Sequence, residues 1–172
     1  DLPQLGREVL EVWDRENTFG RSITEREGAP AFIFYEGPPS ANGLPGIHHV
    51  LSRTIKDTIC RYKTQQGYLV RRKAGWDTHG LPVELGVEKK LGITKEDIGH
   101  KISIEEYNRT CREAVMEFTG VWEELTRKMG YWVDMKHPYI TYENKYIETL
   151  WWMLKQLFDK GLLYKGYTIQ PY

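Results

Sequence analysis

Cysteine is scarce in this chain. Cys60 and Cys111 are the only two among 172 residues. Neither sits in a Cys-x-x-Cys pair, and one disulfide between them would be a poor sign of secretion. Long apolar runs are missing too: no stretch of about 18 apolar residues occurs, so no transmembrane helix is predicted. Neither sign of charge is in excess. Lys plus Arg number 24 and Asp plus Glu number 24, a formal net charge of zero. That excludes a global pull toward nucleic acid or an acidic membrane, and any nucleic-acid contact must be local. The opening residues, DLPQLGREVLEVWDR, carry charges where a signal peptide would be apolar. A reducing, cytoplasmic compartment fits these absences. There is no internal repeat and no low-complexity tract. An initiator methionine is absent, and the closing residues, YKGYTIQPY, read as a strand with no stop. The chain is therefore expected to be a piece of a longer polypeptide.

What is present suits one globular core, with 40% apolar and 28% charged residues. Leu2, Leu5, Val9, Val12 and Trp13 recur at helical spacing and predict a helix over residues 3–17. The polar stretch TFGRSITEREGAP reads as loop. Ala31 to Tyr35, AFIFY, is short, apolar and aromatic, which predicts a buried strand. A Gly-Pro-rich loop follows. Ile47, Val50, Leu51, Ile55, Ile59 and Tyr62 then give one face of a helix of about five turns that ends near Gly67. Tyr68 to Ala74 reads as a second strand. WDTHGLPVE is a loop entering a helix, with Pro82 suited to its first turn.

This strand–helix–strand order is a βαβ unit, so the two strands should be parallel neighbours. Ser103 and Glu106 make a capping box. Beyond it, Ile104, Tyr107, Cys111, Val115, Phe118, Trp122, Leu125 and Met129 lie on one stripe of a single long helix, where Cys111 reads as packed core. Ile147, Leu150, Trp151, Leu154, Leu157 and Phe158 mark another helix ended by Gly161, with Trp151 and Trp152 read as core. Arg71, Arg72 and Lys73 form a short basic cluster, which reads as solvated charge beside the strand; a local nucleic-acid contact is its other use.

The chemistry concentrates in GPPSANGLPGIHHVLSR, Gly37 to Arg53. In an open parallel sheet, ligands bind beyond the carboxyl ends of the strands, and this loop lies there. The helix that begins near Gly46 to His49 aims its free N–H groups and dipole at the same space, which suits an anion, phosphate above all. Gly37, Gly43 and Gly46 allow close backbone approach, and histidines in the first turn add donors. The residues alone leave a plain tight turn equally open, since the loop is neither a Walker A nor a Gly-x-Gly-x-x-Gly fingerprint. Asp77, in AGWDTHGLPVE, follows the second strand and should face the same crevice with His79 beside it. Its carboxylate suits an ammonium group, or it caps the helix that starts near Leu81.

Together these two stretches resemble class I aminoacyl-tRNA synthetases, the isoleucyl branch most closely. GPPSANG followed by a histidine-containing tetrad is similar to that family's ATP-binding signature, His-Ile-Gly-His, and GWDTHGLPVE is similar to its second block. The likeness continues through VEKKLGI, MGYWVDMKHPYITYENKYIETLWW and LKQLFDKGLLYKG, nearly the whole chain. It implies an α/β fold: the N-terminal part of a Rossmann-like parallel-sheet catalytic domain with long flanking helices, over residues 1–172, ending near the start of the editing insertion. The implied substrates are L-isoleucine, ATP as its Mg2+ complex and, through the full-length enzyme, tRNA(Ile). No metal ligands and no membrane contact are implied.

Transferred position by position, the tetrad falls on Gly46, Ile47, His48 and His49, so this chain reads Gly-Ile-His-His. The last histidine is kept as His49. The first has become Gly46, and the family's glycine has become His48. The resemblance implies that Asn42, Gly43, Gly46, His48 and His49 lie against ATP, with His48 and His49 as the catalytic imidazoles. It implies that Gly37 and Pro38 line the amino-acid pocket and that Asp77 holds the substrate ammonium. The family's second signature, Lys-Met-Ser-Lys-Ser, does not occur, so the segment alone is expected to be inactive or weak. A methionyl or valyl relative and a non-catalytic paralogue that binds nucleotide or tRNA are the competing readings.

Overall fold

The computed structural model describes residues 1–170. Two helices lead, α1 (Leu2–Arg15) and α2 (Thr18–Thr24). The segment from Thr18, predicted as loop, is thus partly helical, started by Asn17 in the left-handed region at φ 48°. Strand β1 (Phe34–Tyr35), helix α3 (Ile47–Gln65) and strand β2 (Arg72–Trp76) follow, and then helix α4 (Leu81–Leu91) with its proline in the first turn. A 3₁₀ turn at Lys95–Asp97 leads to α5 (Ile104–Val115) and α6 (Thr119–Lys128). Strand β3 (Asp134–Ile140) and helix α7 (Asn144–Asp159) complete the described elements.

The predicted βαβ unit is present. β1 and β2 pair in parallel, Phe34 opposite Arg72, and the sheet order is β1-β2-β3. Bridging continues outside the named strands, where Phe32 N–H donates to the Leu69 carbonyl at 2.9 Å. β2 runs a few residues later than the sequence suggests. The expected burial of β1 is not met: Ile33 and Tyr35 are exposed, because β1 is the edge of this sheet and only β2 covers it. β3 was not foreseen. Between the pairs Lys73–Asp134 and Gly75–Tyr139 its register slips. Pro138 lies in the slip, and the Asp134 carboxylate turns the backbone there by accepting from Lys136 and His137 N–H at 2.9 and 3.3 Å. A strand with an internal proline and a bulge has no clean alternation to read.

The single long helix predicted from Ile104 is broken in two. At the break, Phe118 N–H donates to the Ala41 carbonyl, 2.9 Å away and far back in the chain. Ser103 caps α5 by accepting from Glu106 N–H at 3.1 Å, while the Glu106 carboxylate turns outward to Arg109. Cys111 is half-buried, and burial pushes its thiol up, in line with an unreactive packed cysteine.

The largest departure is the direction α3 faces. Its apolar stripe, Ile47, Leu51, Ile55, Ile59 and Tyr62, is exposed, up to 82% at Ile47. Its buried residues are Arg53, Cys60 and Thr64. α7 likewise has no buried residue, and Trp151 and Trp152 stand 67% and 62% exposed where core packing was expected. Arg72 is also reversed. It is buried inside β2, not solvated; its guanidinium donates to Asp57 and Thr64, both at 3.0 Å, and lies against Phe19 and Trp132. The strand expected at the C-terminal end has no regular structure through Gln170, and its last two residues lie outside the described range.

The core that positions the site lies between the sheet and α6. Ala41, Trp76 and Trp122 are buried together, with Met116, Phe118, Met135 and Ile140 packed around them. Gly75 is needed for sheet packing. A Cβ there would collide with the Tyr139 ring. Gly75→Ala is expected to cost roughly 1–3 kcal/mol through overpacking, read as a lower thermal midpoint. An unchanged midpoint would mean that Tyr139 swings away freely.

Candidate functional site

The loop from Gly37 to Gly46 leaves the carboxyl end of β1 and enters α3, so it lies at the sheet edge where the βαβ geometry puts ligands. Gly46 is the N-cap of α3 in an extended conformation, and Ile47, His48 and His49 form the first turn. His49 Nδ1 accepts from Gly46 N–H at 2.9 Å, so this nitrogen carries no proton and a neutral His49 bears its hydrogen on Nε2. Burial first, then His48 and the Arg53 guanidinium, hold His49 below the ordinary imidazole value of 6.5. His49 is thus a neutral donor at pH 7 rather than a fixed positive charge.

His48 is exposed and its ring lies 3.8 Å from that of His49, centroid to centroid. It also folds back over the cap. A Cβ built on Gly46 would meet His48 Cε1 at 2.9 Å and Nδ1 at 3.0 Å. The His48 imidazole therefore fills the space that a side chain at position 46 would use. Gly37 and Gly43 have open space, with nothing within 4 Å of a would-be Cβ. Pro38 and Asn42 are half-buried.

Asp77 follows the carboxyl end of β2, the strand beside β1. Its backbone N–H donates to the Pro39 carbonyl at 3.0 Å, so the two sequence blocks touch directly. It does not cap α4, whose N-cap is Gly80 without a side-chain bond. Among the described residues the half-buried Asp77 carboxylate accepts only a long bond, 3.4 Å, from His79 N–H. His79 itself turns away to Thr141, ring nitrogen to hydroxyl at 3.0 Å. The histidine pair and Asp77 therefore share one edge of the sheet, joined through Pro39 and through Trp76 and Trp122. A cavity of about 620 Å³ is lined by Tyr35, Lys73, Tyr139, Glu143 and Tyr146 among others.

Three further residues support this edge. Glu36, the residue before Gly37, is buried and accepts from both Lys56 of α3 and the Tyr131 hydroxyl. Tyr139 donates its hydroxyl to the Glu36 carbonyl and stacks on Tyr146, centroids 5.7 Å apart. Burial, then Tyr146, Glu36 and Asp77, push its phenol up to about 12, so it remains a donor. Trp122 sits beneath the loop. For Glu36 the sequence carried one faint signal, a charge placed directly after an apolar strand. Among the described residues no group of three or more His, Cys, Asp or Glu stands where it could hold a metal. None of the described helices is long and apolar enough to cross a membrane.

Residues 8–172 match the family described as tRNA synthetases class I (I, L, M and V). The chain is 72% identical over 172 residues to the isoleucine–tRNA ligase of Bacteroides fragilis strain YCH46, covering 100% of this chain and 15% of that protein. The corresponding ligase of Porphyromonas gingivalis is also 72% identical over the full chain. Isoleucine–tRNA ligase 2 of Bacillus anthracis is 54% identical over 170 residues, 98% of this chain and 16% of that one. This chain thus spans about 15% of the length of the curated relatives it matches. Among solved structures, the agnB2 LeuRS of Agrobacterium radiobacter K84, in a ternary complex with tRNA and LeuAMS, superposes with a TM-score of 0.58. That match covers 92% of this chain and 18% of the other at 21% identity, a likeness of fold.

Proposed function

The chain belongs to the class I tRNA synthetases (I, L, M and V), and on that premise we propose that residues 1–172 are the first half of the catalytic domain of an isoleucine–tRNA ligase. The full-length enzyme would join L-isoleucine to tRNA(Ile) at the expense of Mg-ATP. One observation carries the reading of the site: the loop after β1 and the loop after β2 meet at a single sheet edge through the Pro39–Asp77 backbone bond, at 3.0 Å.

In the first step an isoleucine carboxylate oxygen bonds to the α-phosphorus, and the bond from that phosphorus to the bridging oxygen breaks, releasing pyrophosphate. In the second, a hydroxyl oxygen of the 3′-terminal ribose of the tRNA bonds to the acyl carbon, the bond from that carbon to the adenylate phosphate oxygen breaks, and AMP leaves with the hydroxyl proton passing to solvent or phosphate. Neither step needs a side-chain nucleophile. The first asks for positioning and for donors aimed at charge growing on phosphate oxygens. His49 Nε2–H, the N–H groups opening α3 and the His48 ring supply such donors, while Asn42, Gly43 and Gly46 leave the backbone open to ATP. His48, lying over Gly46, takes the part of the missing first histidine. Gly37 and Pro38 border the amino acid, and Asp77 receives its ammonium. Mg2+ would enter bound to the ATP phosphates.

ATP–pyrophosphate exchange by the full-length polypeptide tests the activity. Exchange driven by isoleucine well above valine or methionine is expected; equal exchange with all three, or none, would overturn the assignment. The role of His49 has its own signature. Its pKa is lowered, so the ring is already neutral at pH 7 and has no proton to lose as pH rises further. The ratio of kcat/KM for ATP between the parent and His49→Gln should therefore stay level from about pH 7 to 8.5. A ratio that fell with rising pH would assign the work to an imidazolium instead.

A further inference from the structure

We infer that Trp122 is a positioning residue for the nucleotide half of the site, its indole fixing the Gly43 backbone and the His49 ring relative to each other. This rests on the reading of Gly43 and His49 as nucleotide contacts and extends it to a residue on a distant helix.

Trp122 lies in the first half of α6 and is 1% exposed. Burial alone would make it core. What sets it apart is direction. Its Nε1–H donates to the Gly43 carbonyl at 2.9 Å, across 79 residues of sequence. Its ring meets His49 edge-on, centroids 4.8 Å apart at 78°. One side chain thus touches the glycine loop through a hydrogen bond and the helix-opening histidine through an aromatic contact. The helix that carries it is tied to the same loop a second time, by the bond from Phe118 N–H to Ala41 at 2.9 Å.

The loop needs such a tie. Gly43 has open space where a Cβ would stand, and a glycine backbone has more conformations open to it than any other residue. An apolar side chain at 122 would fill the core but leave the Gly43 carbonyl without this donor. The indole has a further neighbour. The Arg53 guanidinium lies 5.7 Å from its ring centroid and 4.9 Å from that of Tyr131. Arg53 is itself 4% exposed, and its Nε and Nη1 have no acceptor among the described residues, so its hold on the site is through the rings. Arg53 is one turn after His49 on α3, so histidine, indole and guanidinium form a single packed column under the loop.

The test uses the full-length enzyme and separates the two substrates. Trp122→Phe keeps a ring and removes the N–H. It is expected to raise KM for ATP about tenfold while KM for isoleucine stays within about twofold. Trp122→Leu also removes the aromatic contact and should lower kcat, and that fall should vanish in a His49→Ala background, where the ring it acts through is gone. Val115→Ala is the control for lost packing: Val115 is buried in α5, and its truncation should lower the thermal midpoint without moving KM for ATP. If His49→Ala leaves exchange unchanged, the nucleotide reading falls and this inference with it. If His49→Ala slows exchange while Trp122→Phe raises both KM values alike or neither, Trp122 is core only. If Trp122→Leu does not fold, the Trp122→Phe split decides alone.

Discussion

Asp77→Asn is expected to raise KM for isoleucine roughly 10- to 100-fold while leaving KM for ATP nearly unchanged, because in the role proposed for Asp77 it replaces a charge-assisted bond to the substrate ammonium by a neutral one. The geometry makes the experiment clean. The Asp77 side chain is not the cap of α4 and, among the described residues, accepts only the 3.4 Å bond from His79 N–H. Its backbone, unaltered by the substitution, keeps the bond to Pro39. The isosteric change therefore removes charge while the loop stays in place. Steady-state ATP–pyrophosphate exchange at varied isoleucine and varied ATP measures both constants. Equal effects on the two substrates would remove Asp77 from the amino-acid site.

The second large effect concerns the rearranged tetrad. Gly46→His, which on paper restores the family's first histidine, is expected to lower kcat roughly 100-fold, the scale of losing one preset donor. The reason is space. A Cβ at position 46 already collides with the His48 ring, at 2.9 Å from Cε1. The added imidazole would displace His48 and disturb the Gly46 N–H that orients His49. The double change Gly46→His with His48→Gly removes the clash and should recover most of the rate, whereas His48→Ala alone should lose the donor and stay slow. Exchange rates for the three variants decide it. A Gly46→His enzyme as fast as the parent would show that positions 46 and 48 do not compete for one place.

The features legible in the sequence were those fixed by neighbours along the chain. The loop–helix junction at Gly46, the length of α3, the proline that opens α4 and the cap at Ser103 depend on local backbone chemistry. The parallel βαβ unit followed from element order. β3 escaped notice because Pro138 and the register slip at Gly75 erase the alternation that marks a strand. The helix from Ile104 looked continuous because its apolar stripe runs on through Phe118. What breaks it is a carbonyl at Ala41 offering Phe118 N–H a partner from outside the helix.

Periodicity also reported two unlike faces on α3 without saying which one turns inward. An amphipathic pattern predicts burial of the apolar side only when nothing pays for burying the polar one. Here Arg53 stacks between Tyr131 and Trp122, Asp57 pairs with Arg61 and Arg72, and Lys56 reaches Glu36. Apart from Arg61, which is on α3 itself, those partners come from the residue after β1, from β2, and from α6 and the turn after it, and none of these could be assigned to α3 from its own sequence. Arg72 shows the same effect in reverse: it reads as solvated charge within its short basic run, and it is buried because Asp57 and Thr64 meet it inside.

By itself, then, the sequence determined the membership of the chain and the chemical character of its two loops, since those rest on residue types at fixed short spacing. Only the tertiary structure decided that Asp77 meets Pro39, that His48 occupies the room beside Gly46, and that Trp122 joins Gly43 to His49. Contacts of that kind arise between segments separated by tens of residues. They are selected by packing density and by the need of every buried polar atom for a partner, two demands that are settled only when the whole chain has folded.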